Sequence, residues 1–186
     1  MKITIIGLGL IGGSIAKTLS ASKDNQILAF DTNQGSIKNA LDNQSINDSI
    51  QSLDNLRNAE YKDSLVIIAT PPSVTVDILK SLDFLFNSSV TITDTTSAKS
   101  SLNKTLQEFN FPENFIFSHP VAGSHLSGEK NSVANLFNGK STILSYHDSV
   151  ASQHVDRVTN LWNTLGSNIT VLDVELHDQI FAYSSH

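Results

Sequence analysis

The beginning of the chain constrains the fold most strongly, because a short apolar run leads directly into a cluster of glycines. The run Lys2–Ile6 is rich in β-branched residues, and Gly7, Gly9 and Gly12 follow it. Beyond the glycines, apolar residues recur at the spacing of a helix rather than that of a strand. The stretch therefore predicts a strand, a tight turn and a helix.

Each glycine in this turn has its own physical task. Gly7 permits the turn, Gly9 lets the backbone approach a pyrophosphate, and Gly12 lets the helix pack closely on the strand. The N-terminus of the helix presents free N–H groups and partial positive charge, which favour phosphate. We therefore expect a dinucleotide to be bound by the turn residues Gly7, Leu8, Gly9, Leu10, Ile11 and Gly12. Glycines also occur in turns that bind nothing, so the next residues have to support this interpretation.

The second predicted strand supplies that support. The run Gln26–Phe30 ends at Asp31. A carboxylate at this position accepts hydrogen bonds from a ribose hydroxyl and repels a 2′-phosphate, so Asp31 favours NAD over NADP. The alternative is that Asp31 only begins a turn with an N-cap, where Asp and Asn are favoured anyway.

Length and composition limit the remaining possibilities. A chain of 186 residues suits one domain of ordinary size. Its net charge of −6 and its lack of a dense Lys/Arg run argue against a nucleic-acid or membrane partner. The absence of cysteine excludes a disulfide framework and a thiolate zinc site, and we expect no metal. With no apolar run of membrane-spanning length and no basic leader, the cytoplasm is the expected location.

A continuous apolar run, Leu65–Ala69, predicts a strand that is covered on both faces of a parallel sheet. It stops at Thr70 and Pro71, because proline cannot extend a central strand. These residues should lie at the carboxyl end of the strand, where open α/β sheets bind ligands. We expect Thr70, Pro71 and, after the next strand, Asp94 to join the glycine turn around the cofactor. A helix over residues 74–85 should come between them.

The rest of the chain continues to alternate between strands and helices. We expect strands over residues 90–93, 115–117, 142–145 and 169–172, and helices from near residue 97 and over residues 150–165. This alternation predicts an α/β fold, a Rossmann-like doubly wound and mostly parallel sheet. Asp94 and Ser97 are candidate site residues, although either could serve only as an N-cap.

Oxidation of an alcohol needs a base that takes the hydroxyl proton, and a neutral histidine suits this task. His119 is the best placed of the histidines, because it ends a predicted strand and precedes a proline and a glycine. His125 lies in the same loop and either lines the pocket or faces solvent. His147 and His154 are expected at the surface.

Three blocks of residues resemble the prephenate and arogenate dehydrogenase family of tyrosine biosynthesis. They are Gly7–Ser14, Thr93–Lys99 and His119–Ser124, in this order and at these distances. Many dehydrogenases share the glycine motif, but the His-Pro-x-Ala-Gly block together with the upstream Asp-x-x-Ser-x-Lys block is specific. The resemblance covers essentially the whole chain.

This resemblance implies a role for each matching residue. His119 would hydrogen-bond the ring hydroxyl of prephenate as the base, and Ser97 would assist there and orient the nicotinamide. Hydride would pass to NAD, and the ring would then lose its carboxylate as carbon dioxide. Ser124 and His125 would approach the side chain of the substrate, and His186 would match a substrate-side histidine.

The resemblance also implies a division of the chain. Residues 1–173 would form the NAD-binding Rossmann-like domain, and residues 174–186 would begin a truncated, all-helical domain for dimerisation and substrate binding. Family members form homodimers and use an arginine of that domain to hold a substrate carboxylate, and Arg57 and Arg157 lie in the wrong segments to replace it. Leu126 stands where relatives often carry a basic residue. We therefore expect a partial form that binds NAD, with turnover an open question.

Two other classes remain possible at this point. One is a related β-hydroxyacid dehydrogenase or imine reductase, which shares the N-terminal domain but does not require the His-Pro-x-Ala-Gly loop. The other is a non-catalytic NAD(H)-binding module. No residue in the sequence separates prephenate from arogenate as the substrate.

Overall fold

The computed structural model describes residues 1–122 and 128–184. Its strands are β1 (Lys2–Ile6), β2 (Gln26–Phe30), β3 (Asp48–Ser49), β4 (Leu65–Ile68), β5 (Thr91–Asp94), β6 (Phe115–Val121), β7 (Ser141–Ser145) and β8 (Asn168–Val171). Its α-helices are α1 (Leu10–Leu19), α2 (Gln34–Asp42), α3 (Pro72–Ser81), α4 (Ser100–Glu108), α5 (Ser152–Thr164) and α6 (Val174–Ser184). Short 3₁₀ turns span Leu53–Arg57, Ala59–Tyr61, Asp83–Leu85 and Glu129–Asn131.

The described strands form one sheet in the order β3-β2-β1-β4-β5-β6-β7-β8. Neighbouring strands run parallel, except that β6 and β7 are antiparallel. The first six strands have the order of the doubly wound dinucleotide-binding folds. The predicted Rossmann-like, mostly parallel α/β sheet is thereby confirmed.

Helices cover both faces of this sheet, and strand β4 shows how the sequence achieves it. Successive side chains of a strand point to opposite faces. Leu65 and Ile67 join one core with residues of α1, α2 and α5, whereas Val66 and Ile68 join the other core with residues of α3 and α4. The continuous apolar run is therefore required by burial on both sides.

The turn between β1 and α1 depends on two of its glycines. Gly7 has a φ of +94°, which side chains rarely adopt, and a Cβ there would lie 2.7 Å from the carbonyl oxygen of Ala69. A Cβ at Gly12 would lie only 1.9 Å from the carbonyl oxygen of Gly7. The structural tasks predicted for Gly7 and Gly12 are thus confirmed.

Strand β6 is longer than predicted and runs through His119 and Pro120 to Val121. Only its first part, Phe115 and Ile116, pairs with β5, while its second part pairs with β7. At Pro120, the edge of β6 that faces β5 makes no strand pairing. Proline has no N–H group to donate, and it is tolerated at such an unpaired edge. His119 lies within a strand and not at its end.

Two helix boundaries also differ from the prediction. Helix α3 begins at Pro72 and ends at Ser81, because proline suits the first helical turn and the chain continues into a 3₁₀ turn. Helix α4 begins at Ser100 instead of near Ser97. The N–H and hydroxyl groups of Thr96 donate to the Asp94 carboxylate, which holds this segment as a turn before the helix starts.

Helix α6 begins at Val174, where we divided the chain, and packs against α4. The helix therefore contributes to the structure formed by the preceding residues. Its assignment to a second domain stays a prediction.

The two close glycines allow a test of the turn. Gly12→Ala should lower the free energy of unfolding by about 3 kcal/mol, because the new Cβ meets backbone that cannot move aside. Gly9→Ala is the matched control, since nothing lies within 4 Å of a Cβ there and φ is −73°. We expect the control to cost less than about 1 kcal/mol. Urea denaturation of both variants measures the difference, and equal stabilities would contradict this account of Gly12.

Candidate active site

A crevice of about 510 Å³ opens at the carboxyl ends of the central strands. It lies where the strand order reverses between β1 and β4, the position at which doubly wound sheets bind ligands. Seven of the predicted site residues line it, namely Gly9, Leu10, Ile11, Thr70, Pro71, Ser97 and His119. Segments far apart in the sequence are thus brought together as predicted.

The N-terminus of α1 forms one wall of the crevice. Gly9 is its N-cap, and no side chain caps the helix. The first N–H groups of a helix lack partners within the helix and carry partial positive charge, which suits an anion. The space where a Cβ of Gly9 would stand is open, so the backbone is accessible at this point. The turn therefore fits the phosphates of a dinucleotide.

The crevice is not lined by Gly7, Leu8 or Gly12, although these residues belong to the same turn. Leu8 is 1% exposed, and its side chain belongs to the core. Direct contact of these three residues with a cofactor stays a prediction, whereas their structural function is visible in the packing.

Asp31 lies at the tip of β2 and is partly exposed. The N–H of Leu8 donates to Asp31 Oδ2 at 2.6 Å, and the N–H of Asn33 donates to Oδ1 at 2.7 Å. The side chain of Asn33 caps α2, so the alternative of a turn with an N-cap correctly describes the local structure. Each carboxylate oxygen retains a second lone pair, which leaves acceptor capacity for a ribose hydroxyl.

Contact of Asp94 with the cofactor stays a prediction, but its side chain does not line the crevice. Asp94 is 0% exposed, and Lys99 Nζ donates to its Oδ2 at 2.6 Å. Thr96 and the N–H of Ser118 are further donors to the same carboxylate. The side chain is directed into the protein because it is the partner of a buried ammonium group.

Lys99 connects this carboxylate to β6. Its Nζ also donates to the carbonyl oxygen of Ser118 at 2.7 Å. The hydroxyl of Ser118 bonds Thr93 Oγ1 at 2.7 Å and accepts from Trp162 Nε1 at 2.9 Å. Burial lowers the pKa of Lys99, and the charge of Asp94 opposes this effect. The network fixes the backbone directly before His119.

His119 is 7% exposed and lines the crevice. Its Nδ1 lies 2.8 Å from Nε2 of His177, and the ring of Phe181 packs edge-on with centroids 4.6 Å apart. Burial, followed by the nearby positive charge of Lys99, lowers the pKa of His119 to about 4. The imidazole is therefore neutral at pH 7, the form that accepts a proton.

Sequence reasoning expected residues 174–186 to begin a substrate-binding domain, but it gave no role to His177 or Asp178. His177 is 0% exposed and touches His119, while Asp178 contacts both His177 and the start of α4. The adjacent His-Asp pair was visible in the sequence, but only the packing of α6 brings it to β6. Lys99 was likewise part of a recognised block without a role assigned to it.

Other histidine predictions had mixed outcomes. His147 is exposed as expected, but His154 is 2% exposed and its Nδ1 lies 2.7 Å from Thr91 Oγ1. The expectation for His154 was wrong because the first turn of α5 faces the sheet and not the solvent. Ser124, His125 and His186 lie outside the described residues.

Two general features of the described chain bear on its ligands. No helix within residues 1–122 and 128–184 has both the length and the apolar composition needed to cross a bilayer. Over the same ranges, no three potential ligands among His, Cys, Asp and Glu come together as a metal site would require.

The family model of the prephenate dehydrogenase nucleotide-binding domain matches residues 15–171. The chain belongs to the prephenate dehydrogenase family. It is 29% identical to the cyclohexadienyl dehydrogenase of Zymomonas mobilis over 185 residues, which are 99% of this chain and 62% of that protein. It is 33% identical to the prephenate dehydrogenase of Lactococcus lactis over 189 residues, covering 100% of this chain and 50% of that protein.

A solved structure agrees with this family assignment. The prephenate dehydrogenase of Aquifex aeolicus, in complex with hydroxyphenyl propionate and NAD⁺, superimposes with a TM-score of 0.86 at 27% identity. The match covers 97% of this chain and 63% of that one. The chain thus spans between half and two thirds of the length of these members of the prephenate dehydrogenase family.

The buried ion pair leads to a prediction about stability. Lys99→Met should cost about 3–5 kcal/mol, because Asp94 is left as a buried charge without its partner. Adding Asp94→Asn should recover much of this loss. Lys80→Met is the control, because Lys80 and Glu108 form an exposed pair at 4.0 Å, and its effect should stay within about 0.5 kcal/mol. Urea denaturation decides, and equal losses for Lys99→Met and Lys80→Met would contradict the role of the pair.

Proposed function

We propose that this chain is the cofactor-binding and proton-accepting part of an NAD-dependent dehydrogenase that oxidatively decarboxylates prephenate or arogenate. The observation that carries the proposal is the position of His119. Its neutral imidazole lines the same crevice as the N-terminus of α1 and the hydroxyl-bearing Ser97. Membership in the prephenate dehydrogenase family supports the reaction class.

The residues around the crevice fit NAD. The N–H groups at Gly9, Leu10 and Ile11 would hold the pyrophosphate, and Thr70 and Pro71 line the same crevice. Asp31 would accept the ribose hydroxyls. When bound, NAD supplies the acceptor for a hydride from the ring carbon of the substrate. The Aquifex aeolicus relative, solved with NAD⁺, supports this choice of cofactor.

His119 would act as the base in this reaction. Its Nδ1 is engaged by His177, so Nε2 is the nitrogen available to a substrate hydroxyl. Since burial keeps the ring neutral, a proton can be taken at Nε2 as the hydride leaves the adjoining carbon. Ser97 is exposed on the crevice wall and would hydrogen-bond the same hydroxyl.

A homodimer and a cytoplasmic location complete the proposal. The homodimer rests on the family resemblance, in which helices beyond the nucleotide-binding domain form the dimer interface, and the cytoplasmic location repeats the expectation from the sequence. Prephenate and arogenate remain equal candidates for the substrate. The related β-hydroxyacid dehydrogenases and imine reductases lose support, because the chain matches the prephenate dehydrogenase family model.

The carboxylate of Asp31 leads to a prediction about the preference for NAD over NADP. We expect NAD to bind about 10- to 100-fold more tightly, since NADP loses a charged hydrogen bond and meets repulsion. Asp31→Asn should narrow this ratio. Asp54→Asn is the control, because it removes an equal charge from an exposed pair with Arg57. Calorimetric titration with both dinucleotides measures the ratio, and tighter binding of NADP to the unaltered chain would refute the assignment.

The catalytic role of His119 is tested by His119→Asn. NADH formation with prephenate or arogenate should fall by about 10²–10⁴-fold, the usual contribution of a positioned base, while NAD affinity stays unchanged. The assay is run on the chain alone and on the chain extended by the C-terminal part of the Lactococcus lactis relative, of which this chain covers 50%. If NAD binds but neither form produces NADH, the non-catalytic NAD(H)-binding module becomes the better description.

A further inference from the structure

A continuous line of polar side chains leads from α4 through α6 to the crevice. Asp178 Oδ1 lies 2.9 Å from His177 Nδ1, and His177 Nε2 lies 2.8 Å from His119 Nδ1. His177 is fully buried and His119 nearly so. The same Asp178 carboxylate accepts from the Lys99 N–H at 3.1 Å and from the Ser100 hydroxyl.

The position of each proton along this line follows from the Asp178 carboxylate at one end of it. A carboxylate can only accept, so Nδ1 of His177 must carry the proton that it shares with Asp178. In a neutral His177, Nε2 is then a bare acceptor, and Nδ1 of His119 must donate to it. Neutral His119 therefore carries its proton on Nδ1 and keeps a free lone pair on Nε2.

The two rings are packed closely against each other and against Phe181. His119 and His177 meet edge-on at 5.0 Å between centroids, and Phe181 packs against both rings at 4.6 and 4.8 Å. Within the described residues, His119 Nε2 has no hydrogen-bond partner, and the ring lines the crevice. The lone pair thus remains available on the side where a substrate would bind.

Asp178 is held independently of the histidines. Lys99 is the N-cap of α4, and no side chain of that segment caps the helix. Asp178, a residue of α6, caps α4 instead. Its carboxylate accepts hydrogen bonds from the backbone and hydroxyl groups at the start of α4. These hydrogen bonds, with that from His177, lower the pKa of Asp178 although burial raises it. The carboxylate is therefore ionised and fixed in place at neutral pH.

We propose that His177 and Asp178 are positioning residues that hold His119 in the Nδ1–H tautomer, with the Nε2 lone pair presented to the crevice. The proposal rests on the function proposed above and specifies how its base is prepared. It uses the general arrangement in which a third group orients the base and selects its tautomer. It also makes α6 a required part of the site.

The tautomer can be measured without any turnover. In the intact chain labelled with ¹⁵N, long-range ¹H–¹⁵N correlation spectra distinguish protonated from bare imidazole nitrogens, and His119→Asn identifies the signals of His119. We expect protonated Nδ1 and bare Nε2 in both His119 and His177 at pH 7. A proton on Nε2 of His119 would overturn the proposal, and this measurement needs no variant of His177.

Two substitutions of His177 distinguish a role in positioning His119 from a role in the stability of the fold alone. The amide of Gln reaches the place of Nε2, so His177→Gln can still accept from His119. The amide of Asn reaches only the place of Nδ1, so His177→Asn keeps the contact with Asp178 and loses His119. We expect His177→Asn to mix the His119 tautomers and lower kcat by about 10- to 100-fold, as when partners that orient metal-binding histidines are removed. In His177→Gln we expect the His119 tautomer and kcat of the unaltered chain. NAD affinity should be unchanged in both variants.

The outcomes distinguish this proposal from the proposed function. If the His119 tautomer is as expected and responds to His177→Asn, but neither substrate is oxidised, the positioning stands and the reaction assignment fails. If oxidation occurs and His177→Asn alters neither the tautomer nor kcat, the positioning role is refuted and the reaction assignment stands.

Discussion

A single ammonium group joins the elements on which the candidate site is built. Lys99 Nζ lies between the carboxylate of Asp94 at the end of β5 and the carbonyl oxygen of Ser118 in β6. Removing two such charges from water costs several kcal/mol for each ion, and their attraction offsets this only when geometry and additional hydrogen bonds are good. Any arrangement that separates them leaves a buried charge unpaired. The pair therefore fixes the loop carrying Ser97 relative to the strand carrying His119.

The consequences of this constraint extend to α6. Lys99 offers its backbone N–H to Asp178, so the residue that anchors β5 to β6 also anchors α6 at the start of α4. His177 then contacts Nδ1 of His119, and His177 itself does not line the crevice. His119 is thus held by groups from three separate elements, and none of Asp94, Lys99 and His177 lines the crevice. Such support from packed helices and strands positions a side chain more rigidly than a loop does.

Local signals were sufficient to predict the fold and much of the crevice. The glycine turn, the run Leu65–Ala69 and the alternation of strands and helices identified the doubly wound sheet. Because parallel strands present their carboxyl ends at one edge, residues placed after β1, β4 and β5 had to converge there. The local pattern did not show which polar groups pair in the interior. Asp94 was expected at the cofactor because its ammonium partner could not be recognised, and His154 was expected at the surface because helical pattern alone did not show which side of α5 meets β5.

The sequence by itself determined the order of strands and helices, the close turn at Gly7 and Gly12, and the set of segments that meet at the crevice. These features depend on local backbone sterics and on hydrophobic periodicity, and both are set by residues close together in the sequence. Only the tertiary structure decided which polar groups pair in the interior, and hence that Asp94 pairs with Lys99 and that His177 and Asp178 lie beside His119. The reason is that burial makes an unpaired polar group costly, so its partner is chosen by packing in three dimensions and not by distance along the chain.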